Sequence, residues 1–296
     1  MLESRLLSRI KQKKEALDAR RPLPSGIVRR LNEQLAAEWI YHSNAIEGNT
    51  LTLRETKLIL ETGLTIGGKT LREHFEVINH QKAIDYVESL LADEMPLTPF
   101  HVRQIHHLVL AAIDDENAGQ YRQVSVRIAG ATHTPPDAWE VMRLMNEWGD
   151  WLNGDALALH PVTRAALAHH QLAAIHPFID GNGRTARLVM NVLLMREGYP
   201  PTIIMKSNRR QYYRVLSQAD GGNHKPLVNF VGRAVERGLT FYLEACTPQT
   251  QAPPADEIWI LLRQAADGTP YSQPYLSLLA RKGRLEAVKR GRNWYT

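Results

Sequence analysis

The sequence has a single cysteine, no long apolar run and little alternation of the β type. Cys246 alone excludes a disulfide framework within the chain and a thiolate-based zinc site. No apolar stretch approaches the roughly 20 residues of a membrane-spanning helix, and residues 1–21 are charged throughout, unlike a signal peptide. We therefore expect a cytoplasmic protein with no membrane partner.

The positive charge is confined to the end of the chain. Lys and Arg number 36 and Asp and Glu 31, giving a net charge of +5. Residues 1–280 are balanced, so the excess lies in residues 281–296, where the charged residues are Arg281, Lys282, Arg284, Lys289, Arg290 and Arg292 against Glu286. Any nucleic-acid contact is therefore expected from the tail and not from the main domain.

Apolar residues recur at helical spacing almost everywhere, which predicts an all-α fold. The pattern predicts helices over residues 27–42, 72–92 and 98–113, and from Pro161 to about residue 175. The segment LVMNVLLM that follows is apolar almost all round, as in a helix buried inside a bundle.

Residues 121–136 (YRQVSVRIAGATHTPP) break the helical pattern. Their alternating β-branched residues, followed by Ala-Gly and Pro-Pro, predict a short β-hairpin, and an irregular loop is the alternative. An isolated hairpin has little core of its own, so its role on a helical bundle would be contact with a partner.

Composition divides the chain into four parts. We expect an N-terminal helical region over residues 1–95, a main domain over 96–246, and a polar, proline-rich linker over 247–256. Residues 257–296 read as two short helices and two short strands.

The segment HPFIDGNGRTAR (residues 176–187) combines a histidine, a carboxylate and two arginines with two glycines. It follows one predicted helix and leads into the next, whose N-terminus offers free N–H groups and a positive dipole end to an anion. Arg184 and Arg187 leave the same helical face and can bind further anionic groups. The segment therefore predicts a polyphosphate site, the alternative being a glycine-rich turn with a core histidine and solvated arginines.

Two further side chains suggest the chemistry. Asp180 would stay ionised beside this positive charge, and its natural use next to phosphates is to hold Mg²⁺. His176 is left for proton transfer, since an unperturbed imidazole is mostly neutral at pH 7. Together these groups favour transfer of a phosphorus-containing group.

HPFIDGNGRTAR matches the signature H-x-F-x-[D/E]-G-N-G-R-x-x-R at every specified position, and residues 20–245 resemble the Fic family. The resemblance implies a Fic-fold helical bundle and the Mg²⁺-dependent transfer of AMP from ATP to a Ser, Thr or Tyr hydroxyl of a protein. It implies His176 as the base and Asp180 as the Mg²⁺ ligand. The phosphate-binding residues would be Gly181, Asn182, Gly183, Arg184 and Arg187, with Phe178 anchoring the loop. The intact Gly-Asn-Gly-Arg favours AMP transfer over transfer of the terminal phosphate, and phosphoryl or another nucleotidyl transfer is the alternative within the enzyme class.

The same resemblance assigns two flanking segments. The predicted hairpin at 121–136 is similar to the family's flap, which holds the target protein by strand addition. Residues Ala129, Gly130, Ala131 and Thr132 would face the nucleotide. Tyr212 and Tyr213 would lie near the ribose and adenine, and buried core aromatics are the alternative. The target's identity is open, and self-modification is a further option.

SNAIEGN (residues 43–49) ends the predicted helix of residues 27–42. It resembles the family's inhibitory motif [S/T]-x-x-x-E-[G/N], built here from Ser43 and Glu47. The resemblance implies that Glu47 pairs with Arg187 and lowers ATP occupancy. A reverse reaction, in which this Glu orients a water that removes AMP, stays open.

Residues 257–296 resemble a small winged helix-turn-helix, with a basic wing near residues 281–292. DNA binding is one function for this module, and docking on the main domain or a protein target is the other. The leading hypothesis for the chain is an autoinhibited protein adenylyltransferase. The alternative is a DNA-binding regulator whose Fic pocket senses a nucleotide.

Overall fold

A computed structural model describes residues 2–23, 25–91, 95–128, 130–246, 260–267, 269, 271–282, 284–291 and 293–296, except for the side chains of 25–30, 32 and 290. The chain forms two compact units, Met1–Cys246 and Thr247–Thr296. The predicted linker at 247–256 lies outside the described residues.

All regular secondary structure among the described residues of the first unit is helical, which confirms the all-α prediction. Its α-helices are α1 Ser4–Asp18, α2 Ser25–Ile46, α3 Leu53–Thr62, α4 Leu71–Ser89, α5 Pro99–Leu110, α6 Val141–Asn153, α7 Pro161–Ile175, α8 Asn182–Arg196, α9 Arg209–Asp220 and α10 Lys225–Ala245. Within the described part of the chain, no helix is both long enough and apolar enough to span a membrane.

Helix α8 lies at the centre of the unit, as its apolar sequence predicts. It packs against α7, α5 and α4, and Leu188, Val189 and Met190 are fully buried. The one amide on this stretch, Asn191, donates to the Thr202 carbonyl at 3.1 Å and accepts from the Thr202 N–H at 2.6 Å. These bonds satisfy a polar group that would otherwise be costly to bury.

Two capping boxes set the starts of α3 and α4, and α4 packs against α8. Thr52 and Glu55 start α3, and Thr70 and Glu73 start α4, each Thr side chain accepting from the Glu N–H while the Glu carboxylate binds the Thr N–H. With α4 fixed from Thr70, residues four apart along it share one face. This register directs Glu76 toward α8.

The segment at 121–136 contains bends and a turn, and no strand pairing occurs among its described residues, so the strand ladder of the predicted hairpin is wrong. The buried Arg122 guanidinium takes the ladder's place. It donates to the carbonyls of Val124 at 3.0 Å and Pro136 at 2.5 Å, and to that of His176 at 2.8 Å. One side chain thus joins both halves of the segment to the end of α7. We keep the name flap for residues 121–136.

The second unit contains helices α11 Leu262–Asp267 and α12 Gln273–Arg281 and strands β1 Val288–Arg290 and β2 Asn293–Tyr295. The strands pair antiparallel, with Lys289 opposite Trp294, and Trp294 packs on the small core between the helices. The predicted helix-helix-strand-strand order is therefore present. Winged-helix identity and DNA binding through residues 281–292 stay predictions, and Arg292 lies outside the described residues.

Candidate active site

His176 ends α7 in a left-handed conformation, with φ 50° and ψ 57°. Its Nδ1 lies 3.3 Å from the Ala173 carbonyl oxygen, an acceptor that favours a proton on Nδ1. Nε2 then carries the lone pair, and it has no hydrogen bond to any described residue. Burial, which outweighs the Ala173 hydrogen bond, lowers the pKa of His176 below its ordinary value of 6.5, so the ring is neutral near pH 7.

The loop after His176 is fixed by a short set of hydrogen bonds. Gly181 caps α8 with φ 75°, a conformation that glycine adopts without strain. The Asn182 amide accepts from the Phe178 N–H at 3.0 Å and donates to the Phe178 carbonyl at 2.8 Å. These bonds use the amide oxygen and one of its two N–H groups, so the Asn182 side chain holds the loop, and its contact with a phosphate stays a prediction. Asn182 is the first residue of α8, and its side chain closes the loop.

His106 supports this loop from α5, a role that was not predicted from the sequence. Its ring stacks on Phe178 at 3.6 Å between centroids. Its Nδ1 accepts from the Gly119 N–H at 2.9 Å, and its Nε2 lies 2.9 Å from the Asp180 carbonyl oxygen. Burial lowers the pKa of His106 to about 4, so the ring is neutral and Nε2–H is the donor. A buried histidine in an apolar helix gives no signal of this role.

Arg184 and Arg187 both leave the first turns of α8 and are buried. Arg187 donates through Nε to Ser43 Oγ at 3.0 Å and through a terminal nitrogen to the Ser43 carbonyl at 2.8 Å. Its other terminal nitrogen lies 2.7 Å from a Glu47 carboxylate oxygen. Burial works to lower the pKa of Arg187, but the charge and hydrogen bond of Glu47, together with Tyr212, outweigh it and the net shift is upward. The structure therefore brings Ser43, Glu47 and Arg187 together.

The contact between Glu47 and Arg187 is possible because α2 is longer than the sequence predicts. The helix continues to Ile46 and does not end near residue 42 as predicted. Ser43 is thus helical, and Glu47 follows one turn later on the same side. Arg209, also missed from the sequence, fixes the helix end by donating to the Ile46 carbonyl at 2.7 Å. This carbonyl is one of those that a helix C-terminus leaves without a partner.

The Glu47 carboxylate also lies against the N-terminus of α8. A Cβ added to Gly183 would overlap one of its oxygens. The absence of a side chain at Gly183 therefore leaves room for the carboxylate in this position. The carboxylate occupies the place where free N–H groups and the helix dipole attract an anion.

Asp180 is about half exposed and faces the same cavity. Burial raises the pKa of this carboxyl, but Arg184, the Gly181 N–H at 2.6 Å and Arg72 outweigh it and hold the pKa below its ordinary value. Among the described residues, no group of three His, Cys, Asp or Glu side chains surrounds a point. One ionised carboxylate is nevertheless a fitting donor for Mg²⁺, which commonly takes one or two carboxylates and completes its shell with phosphate oxygens and water.

These groups surround a cavity of about 740 Å³, between the flap, the end of α2 and helices α7 to α9. The predicted site residues that line it are Glu47, Gly130, Ala131, Thr132, His176, Asp180, Gly181, Asn182, Gly183, Arg184, Arg187, Tyr212 and Tyr213. Ala129 lies outside the described residues. Such a volume suits a nucleotide-sized ligand.

The two tyrosines differ. Tyr212 is 2% exposed, and its hydroxyl lies 2.8 Å from His169 Nε2. Most of this side chain is therefore buried in the core, as the alternative of a core aromatic predicts. Tyr213 is 38% exposed and stacks on Arg209 at 4.9 Å. Only Tyr213 offers a broad ring face to a ligand.

Similarity to known proteins identifies the family of this chain. The model of the Fic/DOC family matches residues 96–194. A solved Fic domain containing signaling protein from Bacteroides thetaiotaomicron is 32% identical with a TM-score of 0.75, covering 82% of this chain and 98% of that one. Fic-1 from C. elegans is 36% identical with a TM-score of 0.73, covering 81% of this chain and 71% of the solved chain. The chain belongs to the Fic/DOC family.

Curated relatives extend the match. The protein adenylyltransferase Fic of Drosophila mojavensis is 39% identical over 274 residues, which is 92% of this chain and 53% of the relative. That of Drosophila melanogaster is 40% identical over 254 residues, which is 86% of this chain and 51% of the relative. This Fic chain thus spans about half the length of the curated relatives it matches.

Because of three buried histidines, we expect this Fic protein to lose stability as the pH falls. Burial lowers the pKa of His106 to about 4 and of His169 to about 3, and it lowers that of His80 as well. The unfolded chain takes up these protons below about pH 6.5, whereas the folded chain does not. The free energy of unfolding should therefore fall from pH 6.5 toward 4.5, by about 1.4 kcal/mol per pH unit for each histidine. Urea unfolding at pH 7.5, 6.5 and 5.5 measures this.

His80→Leu is the matched variant, because neither ring nitrogen of His80 has a hydrogen-bond partner among the described residues. It should reduce the pH slope by about 1.4 kcal/mol per unit without loss of stability at pH 7.5. The exposed His107→Ala should leave the slope unchanged. Equal stability of the wild-type protein at pH 7.5 and 5.5 would contradict the assignment.

Proposed function

We propose that this Fic protein is a protein adenylyltransferase that transfers AMP from ATP to a hydroxyl of a protein. The observation that carries the proposal is that His176, Asp180 and the N-terminus of α8 with its two buried arginines face one cavity. The name of the curated relatives, protein adenylyltransferase Fic, supports it. The cytoplasmic location expected from the sequence stays a prediction.

His176 is the base in this proposal. The ring is neutral because burial lowers its pKa, and the Ala173 carbonyl favours the proton on Nδ1. Nε2 can then accept the proton of an incoming Ser, Thr or Tyr hydroxyl. The oxygen attacks the α-phosphorus of ATP, the bond between this phosphorus and the α–β bridging oxygen breaks, and pyrophosphate leaves.

The N-terminal turn of α8 would hold the phosphates. The backbone N–H groups near Gly181 and Gly183 and the side chains of Arg184 and Arg187 present positive charge to the cavity. Asp180 would hold Mg²⁺, which when bound supplies charge neutralisation between neighbouring phosphate groups. These groups favour the negative charge that grows on the leaving pyrophosphate.

The flap would hold the target protein. Arg122 joins it to the base at the end of α7 through the His176 carbonyl, and its described residues form no strand pairing of their own. Such a segment could accept a strand from another chain. The target and any self-modification stay open to experiment.

Glu47 would inhibit this reaction in the resting protein. Its carboxylate binds Arg187 and covers Gly183, which is the place proposed for a phosphate. A charge-assisted contact of this kind contributes about 1.5–3 kcal/mol. ATP would have to displace it, which lowers productive occupancy by roughly ten- to a hundredfold.

Replacing Glu47 should release the inhibition. Glu47→Ala is expected to raise AMP incorporation from labelled ATP by roughly ten- to a hundredfold, because Arg187 and the α8 N-terminus become free for phosphate. Glu33→Ala removes an exposed carboxylate from the same helix and should leave incorporation unchanged. Equal incorporation by wild type and Glu47→Ala would argue against the inhibitory role.

Replacing His176 should stop the transfer. In the Glu47→Ala background, His176→Ala is expected to lose AMP incorporation by at least about a hundredfold, and mass spectrometry of the adduct distinguishes AMP from phosphate. The exposed His107→Ala serves as the control and should retain activity. A His176→Ala protein that transfers AMP at the parent rate would disprove the mechanism.

A further inference from the structure

Asp180 belongs to a closed ring of four charged side chains. From α4, Arg72 contacts one Asp180 carboxylate oxygen and lies 3.5 Å from Glu76. Glu76 lies 3.2 Å from Arg184, and Arg184 lies 3.5 Å from the other Asp180 oxygen. Positive and negative groups alternate around the ring, so its charges neutralise one another.

The two oxygens of Asp180 have different partners. Oδ1 accepts from the Gly181 N–H at 2.6 Å and faces Arg184, groups that belong to the same loop and helix. Oδ2 is held by Arg72, which comes from another helix more than a hundred residues earlier in the chain. A cation that binds Asp180 can therefore use Oδ2 most directly, and Arg72 already occupies it.

Arg72 is also the member of the ring that can leave. Its side chain is 55% exposed, whereas that of Arg184 is 3% exposed. An exposed arginine that loses one carboxylate is rehydrated at little cost, and Glu76 remains within reach as its second partner. The buried Arg184 guanidinium cannot be rehydrated in this way, so the loss of a carboxylate partner would cost it more.

The ring also touches the segment that carries Glu47. The Glu76 carboxylate accepts from the Asn49 amide at 2.8 Å, two residues beyond Glu47. Glu47 covers Arg187 on one side of the α8 N-terminus while Arg72 covers Asp180 on the other. The helical region before residue 96 thus supplies one counter-ion to each side of the site.

We propose that Arg72 is a positioning residue that holds the Asp180 carboxylate in the metal-free protein and competes with the divalent cation for Oδ2. The proposal rests on the proposed function, which assigns Asp180 as the metal ligand. Arg72 raises the cation concentration at which the site fills, independently of the contact between Glu47 and Arg187.

Binding of Mn²⁺ tests this without any transfer reaction. The Glu47→Ala protein is titrated with Mn²⁺ in the presence of α,β-methylene-ATP, whose α–β link resists cleavage, and free Mn²⁺ is followed by its paramagnetic resonance signal. A titration of the nucleotide alone gives the Mn²⁺ that it binds. Arg72→Ala should bind Mn²⁺ about two- to fivefold more tightly, as expected from the loss of a half-exposed ion pair.

Three further variants make the result specific. Lys82→Ala removes an exposed positive charge from the same helix, ten residues and roughly 15 Å from Arg72, and should leave Mn²⁺ affinity unchanged. Arg72→Lys keeps a cation at the position and should return affinity toward that of the parent. Asp180→Ala should weaken binding. Thermal unfolding of each variant checks that the fold is kept.

The outcomes separate the two proposals. Unchanged or weaker Mn²⁺ binding by Arg72→Ala, with weaker binding by Asp180→Ala, would overturn the role of Arg72 and leave the proposed function standing. Equal tightening by Lys82→Ala would also overturn it, since general charge would then explain the effect. Unchanged binding by Asp180→Ala would overturn the role of Arg72 together with the metal assignment.

Discussion

Two buried guanidiniums at the N-terminus of α8 impose the constraint on which the rest of the site depends. Arg184 and Arg187 are both about 2% exposed, and they lie where the helix dipole is already positive. Burying such charge without counter-ions costs several kcal/mol. The protein therefore has to supply anions here, and it does so from the N-terminal helices, with Glu76 at Arg184 and Glu47 at Arg187.

The need for a negative group beside these arginines connects the resting state to the proposed function. The counter-ion at Arg187 comes from a side chain that is about one-third exposed, so a phosphate can replace it without unpacking the core. The loop beneath needs no rearrangement, because the Asn182 amide, His106 and the αL residue Gly181 already hold it. The site is thus preorganised for an anion, and in the proposed function a phosphate of ATP would take the place of the Glu47 carboxylate.

The sequence predicted the features that depend on a repeating apolar pattern or on residues that are close together along the chain. The apolar pattern identified α7 and α8, and the segment 176–187 placed His176 and Asp180 beside the α8 N-terminus. Periodicity could not show that α2 continues to Ile46 or that Arg122 replaces the expected hairpin ladder with bonds to three carbonyls. A segment whose carbonyls are bound by its own arginine has the same composition as a paired strand.

The contacts of His106 and Arg72 could not be predicted for a related reason. His106 binds a carbonyl 74 residues away and Arg72 a carboxylate 108 residues away, so neither has a local signal. Both depend on how α4 and α5 pack against α8, which is a tertiary property. The bonds between the Asn182 amide and Phe178, inside the most informative segment, could not be predicted either.

A crystal structure of the Glu47→Ala protein with α,β-methylene-ATP and Mg²⁺ tests the central claim most directly. The account predicts nucleotide phosphate oxygens at the N-terminus of α8, with one in contact with Arg187 where the Glu47 carboxylate lay. Full nucleotide occupancy elsewhere, with no phosphate oxygen near Arg187 or Gly183, would contradict it.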